Sequence, residues 1–455
     1  MDKDRKVIGI CTAELDQKFH ARMLERVMRE LTELGYHVLI FGSDSDMFHM
    51  SESDLADAAV FDLMNFELLD VVLIFSETIK QQSIVMHIVK QAAAANIPVI
   101  SIGEEIEQCY SVIYDTDAAF EELVRHIIEY HNVREVNFIS GTKGNKVAEN
   151  RLAIYKSVLD DYDILYEEER VGYGDFWFEP TRKVMDRFIQ PHKVLPEAII
   201  CANDSMAVTV CDYLKERKIK VPEDVIVAGI DGIDEGMKHT PGITTCVRDE
   251  VRDAKTIAEL AKQLSEGEAI QRKTILEYHM QLSQSCGCQK SHLFDSDALI
   301  SELNSGLESY RADVRWYAEM SEAFLQCTDE FSFQEIMAEY MPDNSFICIN
   351  SDLRLEGSRE AGKTQGNLLF TEKMNAIVKL EGDIFYCDCY SENIVPESEE
   401  DVLHDKPVIL LPIHYCKKVI GYMGVWHDLS QKIEMGRTIH FLLNFDHSAG
   451  LKLTQ

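Results

Sequence analysis

Residues 198–208 read AIICANDSMAV. A short apolar run with the composition of a buried strand leads straight into Asn203-Asp204, and then into a sequence that starts a helix. Asn and Asp at such a place can cap the helix, because their side-chain oxygens accept hydrogen bonds from the free N–H groups of its first turn. They can also grip a ligand, because ligands of open α/β sheets bind outside the carboxyl ends of the strands.

The same strand-then-helix grammar repeats on both sides. KVIGICT, HVLIFGS, DVVLIFSE, IPVISIG, EVNFISG, EAIICAND and VIVAGID have strand character, and Phe19–Leu34 and Phe120–Tyr130 have helical spacing. Such alternation predicts parallel sheets covered by helices on both faces, an α/β fold. VIYDTDAAF at 112–120 reads as a crossover into a fresh βα series, so two lobes with a cleft between them are expected. The first takes about 1–113 plus 246–288, the second 114–245. ITTCV at 243–247, Glu250–Leu264 and TILEYHMQLSQS at 274–285 are expected to return and complete the first lobe.

Beyond Cys288 the pattern changes. Ile300, Leu303, Leu307, Tyr310, Val314, Tyr317 and Phe324 recur at alternating spacings of three and four, broken only at Ser321. This predicts one long helix over about 291–330, carrying either a dimeric coiled-coil seam or a face laid on its own domain. Residues 331–455 read as a smaller α+β domain with strands FICINS, DIFYCDCY, PVILLPI and KVIGYMGVW, the last two forming a hairpin. RTIHFLLNFDHSAGLKLTQ at the end is helical in composition and lacks a terminating Gly or Pro, as if an output domain followed.

Composition limits what the chain can do. At 455 residues two to four domains are expected. With 45 Lys plus Arg against 79 Asp plus Glu, a formal charge of −34 argues against a broad nucleic-acid surface. No apolar run is long enough for a signal peptide or a membrane span, so a cytoplasmic chain with reduced thiols is expected.

No phosphate loop, dinucleotide fingerprint, HExxH or nucleophile elbow is present, and no catalytic residue or cofactor is assigned. GTKGNK at 141–146 lacks phosphate-loop spacing and reads as a plain loop. Cys286-Gly-Cys288 and Cys387-Asp-Cys389, with His292 and His414 nearby in sequence, fall short of the usual zinc spacing, so no metal site is assigned. The polar residues that close apolar runs say more. Glu77, Asn203, Asp204 and Asp231 each end such a run, and Arg151 sits early in the helix after FISG. Carboxylates, amides and a guanidinium fork gathered at strand ends suit a hydroxyl-rich ligand. Phe19, at the head of the helix after the first strand, joins these candidates.

Residues 5 to about 288 resemble the effector-binding region of the lactose-repressor family, which shares the type I periplasmic sugar-binding-protein fold. The resemblance is carried by AIICANDSMAVTVCDYLKERKIKVPEDVIVAGIDGIDEGMKHTPGITTCVRDE at 198–250, whose Asn-Asp, Val-Pro-Glu-Asp, Gly-x-Asp and Pro-x-x-Thr-Thr elements stand in family order. It implies that Arg151 grips the ligand, that Asn203 and Asp231 make polar contacts, that Phe176 forms an aromatic wall and that Arg248 adds a polar contact. Asp204 is then the structural half of its pair. Two arginines imply an acidic or phosphorylated ligand, unless they pair with Asp204 and Asp231. No counterpart of the family's helix-turn-helix headpiece is expected, since the first strand is read as starting near Lys6. Residues about 333–430 resemble a GAF-type sensor domain through PVILLPIHYCKKVIGYMGVW. The whole order resembles the sensory half of bacterial diguanylate cyclases, without the GGDEF signature.

These readings give a signal-sensing protein, not an enzyme. A sugar or sugar derivative closes the lobes of residues 1–290, and a homodimeric helix relays closure to a GAF-like domain and an absent diguanylate cyclase. The alternative is the effector-binding part of a lactose-repressor-like transcription regulator whose DNA-binding domain is missing. Neither membrane nor direct nucleic-acid binding is expected.

Overall fold

The computed structural model describes residues 5–289 apart from 16, 46, 48–50 and 193, and residues 296–326, 330–351, 369–396, 406–415 and 418–430. The chain forms two compact units. One holds the chain up to Ile113, Ala254–Thr274 and the described residues from Ile300 onward; the other holds Tyr114–Asp253 and Ile275–Leu299. No helix among the described residues is long and apolar enough to cross a membrane.

The first unit starts with β1 (Val7–Thr12), α1 (Lys18–Glu33), β2 (His37–Gly42), α2 (Glu52–Asp57), β3 (Val71–Phe75), α3 (Gln82–Ala94), β4 (Val99–Ile102) and β5 (Tyr110–Asp115). These strands pair in parallel in the order β5-β4-β3-β1-β2. Every residue of β1 to β4 is buried, as continuous apolar runs require when helices cover both faces. The segment read as a crossover into a fresh βα series, residues 112–120, forms the end of β5 and the start of the helix that follows it.

The second unit continues with α4 (Thr116–Arg125), β6 (Val136–Ser140), α5 (Lys146–Asp161), β7 (Val171–Tyr173), α6 (Phe178–Phe188), β8 (Ala198–Cys201), α7 (Asp204–Glu216), β9 (Ile226–Ala228), α8 (Asp234–Lys238) and β10 (Thr245–Arg248). Its parallel sheet has the order β7-β6-β8-β9. Helix α9 (Glu250–Ser265) leads back to the first unit, and β11 (Lys273–Gln281) pairs antiparallel with β10 from Thr245↔Gln281 to Arg248↔Tyr278. The expected return of 246–288 to the first lobe is therefore only partial. Residues 254–274 make it, whereas β10 and 275–288 belong to the second unit, because β10 and β11 pair with each other there.

After α10 (Ser296–Gln326) and α11 (Glu330–Tyr340) come β12 (Ser345–Asn350), β13 (Lys373–Leu380), β14 (Asp383–Tyr390), β15 (Val408–Tyr415) and β16 (Lys418–Trp426). They pair antiparallel in the order β15-β16-β12-β13-β14, with β15 and β16 as the expected hairpin. A separate domain at 331–455 was the expectation; the described strands instead extend the sheet of the first unit. Strand β15 runs parallel to β2, with Leu39↔Val408, Ile40↔Ile409 and Phe41↔Leu410 in register. Phe346, Tyr422 and Trp426 share one apolar core with Phe41, Val72 and Ile74. On the other face of β12 and β16, Met320 and Phe324 of α10 and Phe333 and Met337 of α11 pack against Ile347 and Met423. The final segment read as helical, 437–455, lies outside the described residues.

Candidate ligand-binding site

In the second unit, β6, β8 and β9 run in the same direction, so the loops that follow them gather at one end of the sheet. Helix α5 starts at Asn145, whose Oδ1 accepts hydrogen bonds from the N–H groups of Val147 and Ala148. A turn and a half further on, Arg151 is 4% exposed. Its Nη1 donates to the carbonyl of Ala202, at the end of β8. Nη2 stands 3.7 Å from Asp231 Oδ1, and the guanidinium lies 5.9 Å from the centroid of the Phe120 ring. Nε is buried without a hydrogen-bond partner. A cation so placed has donor capacity left over at a strand end, and a buried donor without a partner costs about 1–3 kcal/mol.

Asn203 has extended backbone (φ −158°) and caps α7, its Oδ1 accepting from the Met206 N–H at 2.9 Å. Its Nδ2 donates to the Phe176 carbonyl at 3.3 Å. Asp204, the next residue, is fully buried and acts on a different set of groups. Its Oδ2 accepts from the N–H groups of Gly232 (2.8 Å) and Ile233 (3.1 Å) and from the Thr245 hydroxyl (2.9 Å). Burial, and then the nearby Asp231 carboxylate, push its carboxyl up to about 7. Asp204 thereby fixes the loop that carries Asp231. That residue sits at φ +131°, a backbone region that non-glycine residues adopt only at a cost of about 1–3 kcal/mol. Gly232 beside it has φ +71°, and a Cβ there would come within 2.6 Å of Val247 Cγ1, so only glycine fits.

Phe176 is half-buried at φ +58°, directly after Asp175 at φ +52°. The turn lays its ring on the backbone of Gly141, where any Cβ would collide with the ring. The glycine of GTKGNK thus seats an aromatic side chain. Within one unit, Arg151 meets Asp231 and the carbonyl just before Asn203, Asn203 meets the Phe176 carbonyl, and Asp204 holds the two residues after Asp231.

The other candidates fall elsewhere. Arg248 Nε donates to the Tyr278 hydroxyl at 2.7 Å, and its guanidinium lies 4.2 Å from the centroid of the Tyr114 ring. Of the pairings weighed as the alternative, Arg151 stands within ion-pair distance of Asp231, and Arg248 lies against two tyrosines. Glu77 lies in the turn after β3 of the first unit, against Gly103. Phe19 is in the first turn of α1, and its side chain is outside the described residues. Sequence reasoning passed over Thr245 and Gly232, which complete the contacts of Asp204, and Tyr114 and Tyr278, which hold Arg248. The pair Cys387 and Cys389 is not joined by His414, whose Nε2 lies 3.2 Å from Asp57 Oδ1; Cys389 Sγ instead lies 3.2 Å from Cys348 Sγ. His292 is outside the described residues.

Residues 124–286 match the family described as a periplasmic binding protein-like domain. The chain is 26% identical over 168 residues to the HTH-type transcriptional repressor PurR of Vibrio atlanticus, a match covering 36% of this chain and 50% of the repressor. It is 25% identical over 182 residues to the probable HTH-type transcriptional repressor ExuR of Bacillus subtilis, covering 39% of this chain and 53% of that one. The chain thus spans about half the length of these curated relatives, and both are named as regulators, not enzymes. A regulatory protein of the LacI family from Chloroflexus aggregans superposes with a TM-score of 0.50 at 18% identity, over 62% of this chain and 98% of that one. The Lac repressor bound to ONPG in its repressed state gives 0.50 at 19% identity, over 62% and 83%. This part of the chain therefore has the mixed α/β, periplasmic-binding-protein-like fold seen in regulators of the LacI family.

Proposed function

We propose that this chain is the effector-binding part of a transcription regulator similar to the LacI family, and that a small, hydroxyl-rich ligand is gripped at the strand ends of the second unit. The observation that carries this reading is the buried guanidinium of Arg151, with Nε unpartnered, beside an aspartate held in a strained backbone conformation. A guanidinium donates only, and Asp231 accepts only, so a ligand carrying adjacent hydroxyls answers both. An acidic or phosphorylated sugar would answer Arg151 more strongly, through charge-assisted bonds. Phe176 offers an apolar face for a sugar ring or a base, and Asn203 lies next to it. Phe19, Glu77 and Arg248 remain candidate contacts of lesser weight.

The signal leaves through α10, whose Ile300, Leu303, Leu307, Tyr310 and Val314 are exposed and keep the spacing of a two-helix seam. A homodimer formed along that seam, with the strands β12–β16 as a GAF-like module, carries the change to an output domain. The names of the relatives favour a DNA-binding output over a diguanylate cyclase. The helix followed by an antiparallel α+β module keeps the second output as the alternative reading.

Thermal-shift screening with sugars, phosphosugars and nucleosides tests the site. A ligand at one hundred times its Kd should stabilise the protein by about 2.7 kcal/mol. Arg151→Ala and Asp231→Ala should each weaken it at least tenfold, about 1.4 kcal/mol, by calorimetry. Binding unchanged in both variants overturns the assignment.

A further inference from the structure

Away from the strand-end site, the second unit gathers His126, His131, Cys286 and Cys288 so that their ligand atoms all lie within 4.8 Å of one another. The sequence set the Cys-Gly-Cys pair beside His292 and gave no reason to join it to residues some 160 positions earlier. We propose that these four side chains form a Cys2His2 site for a zinc ion that staples the end of the ligand-binding unit to the helix carrying the two histidines.

The backbone accounts for the convergence. Residues five apart stand about 140° apart around an α-helix at about 100° per residue, so His126 and His131 would face different ways. Residues His126–Tyr130 instead form a π turn after α4, whose i→i+5 hydrogen-bond pattern brings the residue five positions on, His131, back towards the face of His126. The two imidazoles then meet edge to face, 5.1 Å between centroids, and Tyr130 stacks on His126 at 5.0 Å. On the cysteine side, Gly287 at φ +86° makes the tight turn that aims both thiols at one point.

The distances fit a tetrahedral ion. With Zn–S of about 2.3 Å and Zn–N of about 2.0–2.1 Å, a sulfur and a nitrogen on one tetrahedron are about 3.5–3.6 Å apart. Cys288 Sγ lies 3.5 Å from His126 Nε2 and 3.5 Å from His131 Nε2. Two thiolates and Zn2+ together are neutral, which suits a half-buried place. An outer contact is also in place: the Thr244 hydroxyl donates to Cys286 Sγ at 3.0 Å and is itself oriented by the Ser283 N–H at 2.9 Å.

The test uses the full chain, purified without a metal-binding tag. Elemental analysis should find about one zinc per chain in the wild type, and at least tenfold less in Cys288→Ser and in the His126→Ala/His131→Ala double variant. Metal-stripped wild type titrated with Co2+ should develop a thiolate-to-cobalt charge-transfer band and the visible bands of tetrahedral cobalt, saturating at one equivalent. The histidines are half-buried, so their loss should leave the far-ultraviolet circular dichroism of the chain intact. Wild-type protein that carries no zinc and gives no cobalt spectrum overturns the proposal, as does a double variant that binds as much metal as the wild type.

Discussion

In the second unit the parallel sheet ends at both sides in three-residue strands, β7 and β9, each with a half-buried residue. In the first unit the corresponding outer strand β2 is six residues long, reads HVLIFG and is buried throughout. Short outer strands limit the row of unpaired N–H and C=O groups that a sheet edge offers to other chains. A strand as long and apolar as β2 is tolerable only when it is not an edge, and here β15 lies beside it. Both units share one βα grammar. One gathers buried and polar side chains at its strand ends, and the other uses a sheet side to absorb the C-terminal strands.

The largest effect should come from breaking that union. A fragment ending at residue 290 lacks β15 and leaves β2 as an open apolar edge, so it should aggregate when examined by size exclusion with light scattering. A stable monomeric fragment would show that the first unit closes without the C-terminal strands. Phe346→Ala probes the same point within the full chain. Phe346 is fully buried with its ring 4.9 Å from that of Trp426, and its loss should cost about 3–5 kcal/mol. Hydrogen exchange should then show β2 and β12 losing protection together, while β6 and β8 keep theirs.

A smaller effect distinguishes the second unit. Asp204 is fully buried, and its carboxyl is pushed from an ordinary 3.8 up to about 7. The folded protein therefore holds a proton there that the unfolded chain has already lost, and the stabilisation this gives is complete below about pH 4. It fades as pH rises through about 7. Asp204→Asn keeps an acceptor for Gly232, Ile233 and Thr245 but cannot ionise. Relative to the variant, the wild type should lose a few kcal/mol of stability between pH 4 and 7, since each tenfold fall in proton activity across that range is worth about 1.4 kcal/mol. Urea denaturation of both proteins across that range measures it; a constant difference would mean that Asp204 is ionised at its ordinary pH.

How far the sequence reached follows from the range of the forces involved. The seven strands of the βα series are bounded by local composition, and all seven are found. Strand β7 is too short for a pattern, and β13, KMNAIVKL, mixes polar and apolar residues without clean alternation. The pairing of β2 with β15 joins residues more than 360 positions apart, and nothing within either strand names the other. At the site the same limit holds. Asn203 and Asp204 were visible because capping is a local act, as was Arg151 through the resemblance. Arg248 stood out through the resemblance, whereas Tyr114 and Tyr278, which lie against it, reach it only through the fold. The histidines near Cys288 stayed hidden because their five-residue spacing points to one face only in a π turn.

The smallest effect on stability, and a clear one on assembly, is expected at α10. Along this helix the apolar positions divide: Met320 and Phe324 are buried in the first unit, whereas Leu303, Leu307 and Tyr310 are 63%, 49% and 64% exposed. Side chains already in water contribute little to the fold of one chain, so Leu303→Glu with Tyr310→Glu should change its unfolding free energy by no more than about 0.5 kcal/mol per site. If those positions form a two-helix seam, facing carboxylates repel and cannot be buried, and sedimentation at micromolar concentration should shift from dimer to monomer. A dimer that survives both substitutions would move the association surface off α10, and with it the route by which a bound ligand is felt beyond the second unit.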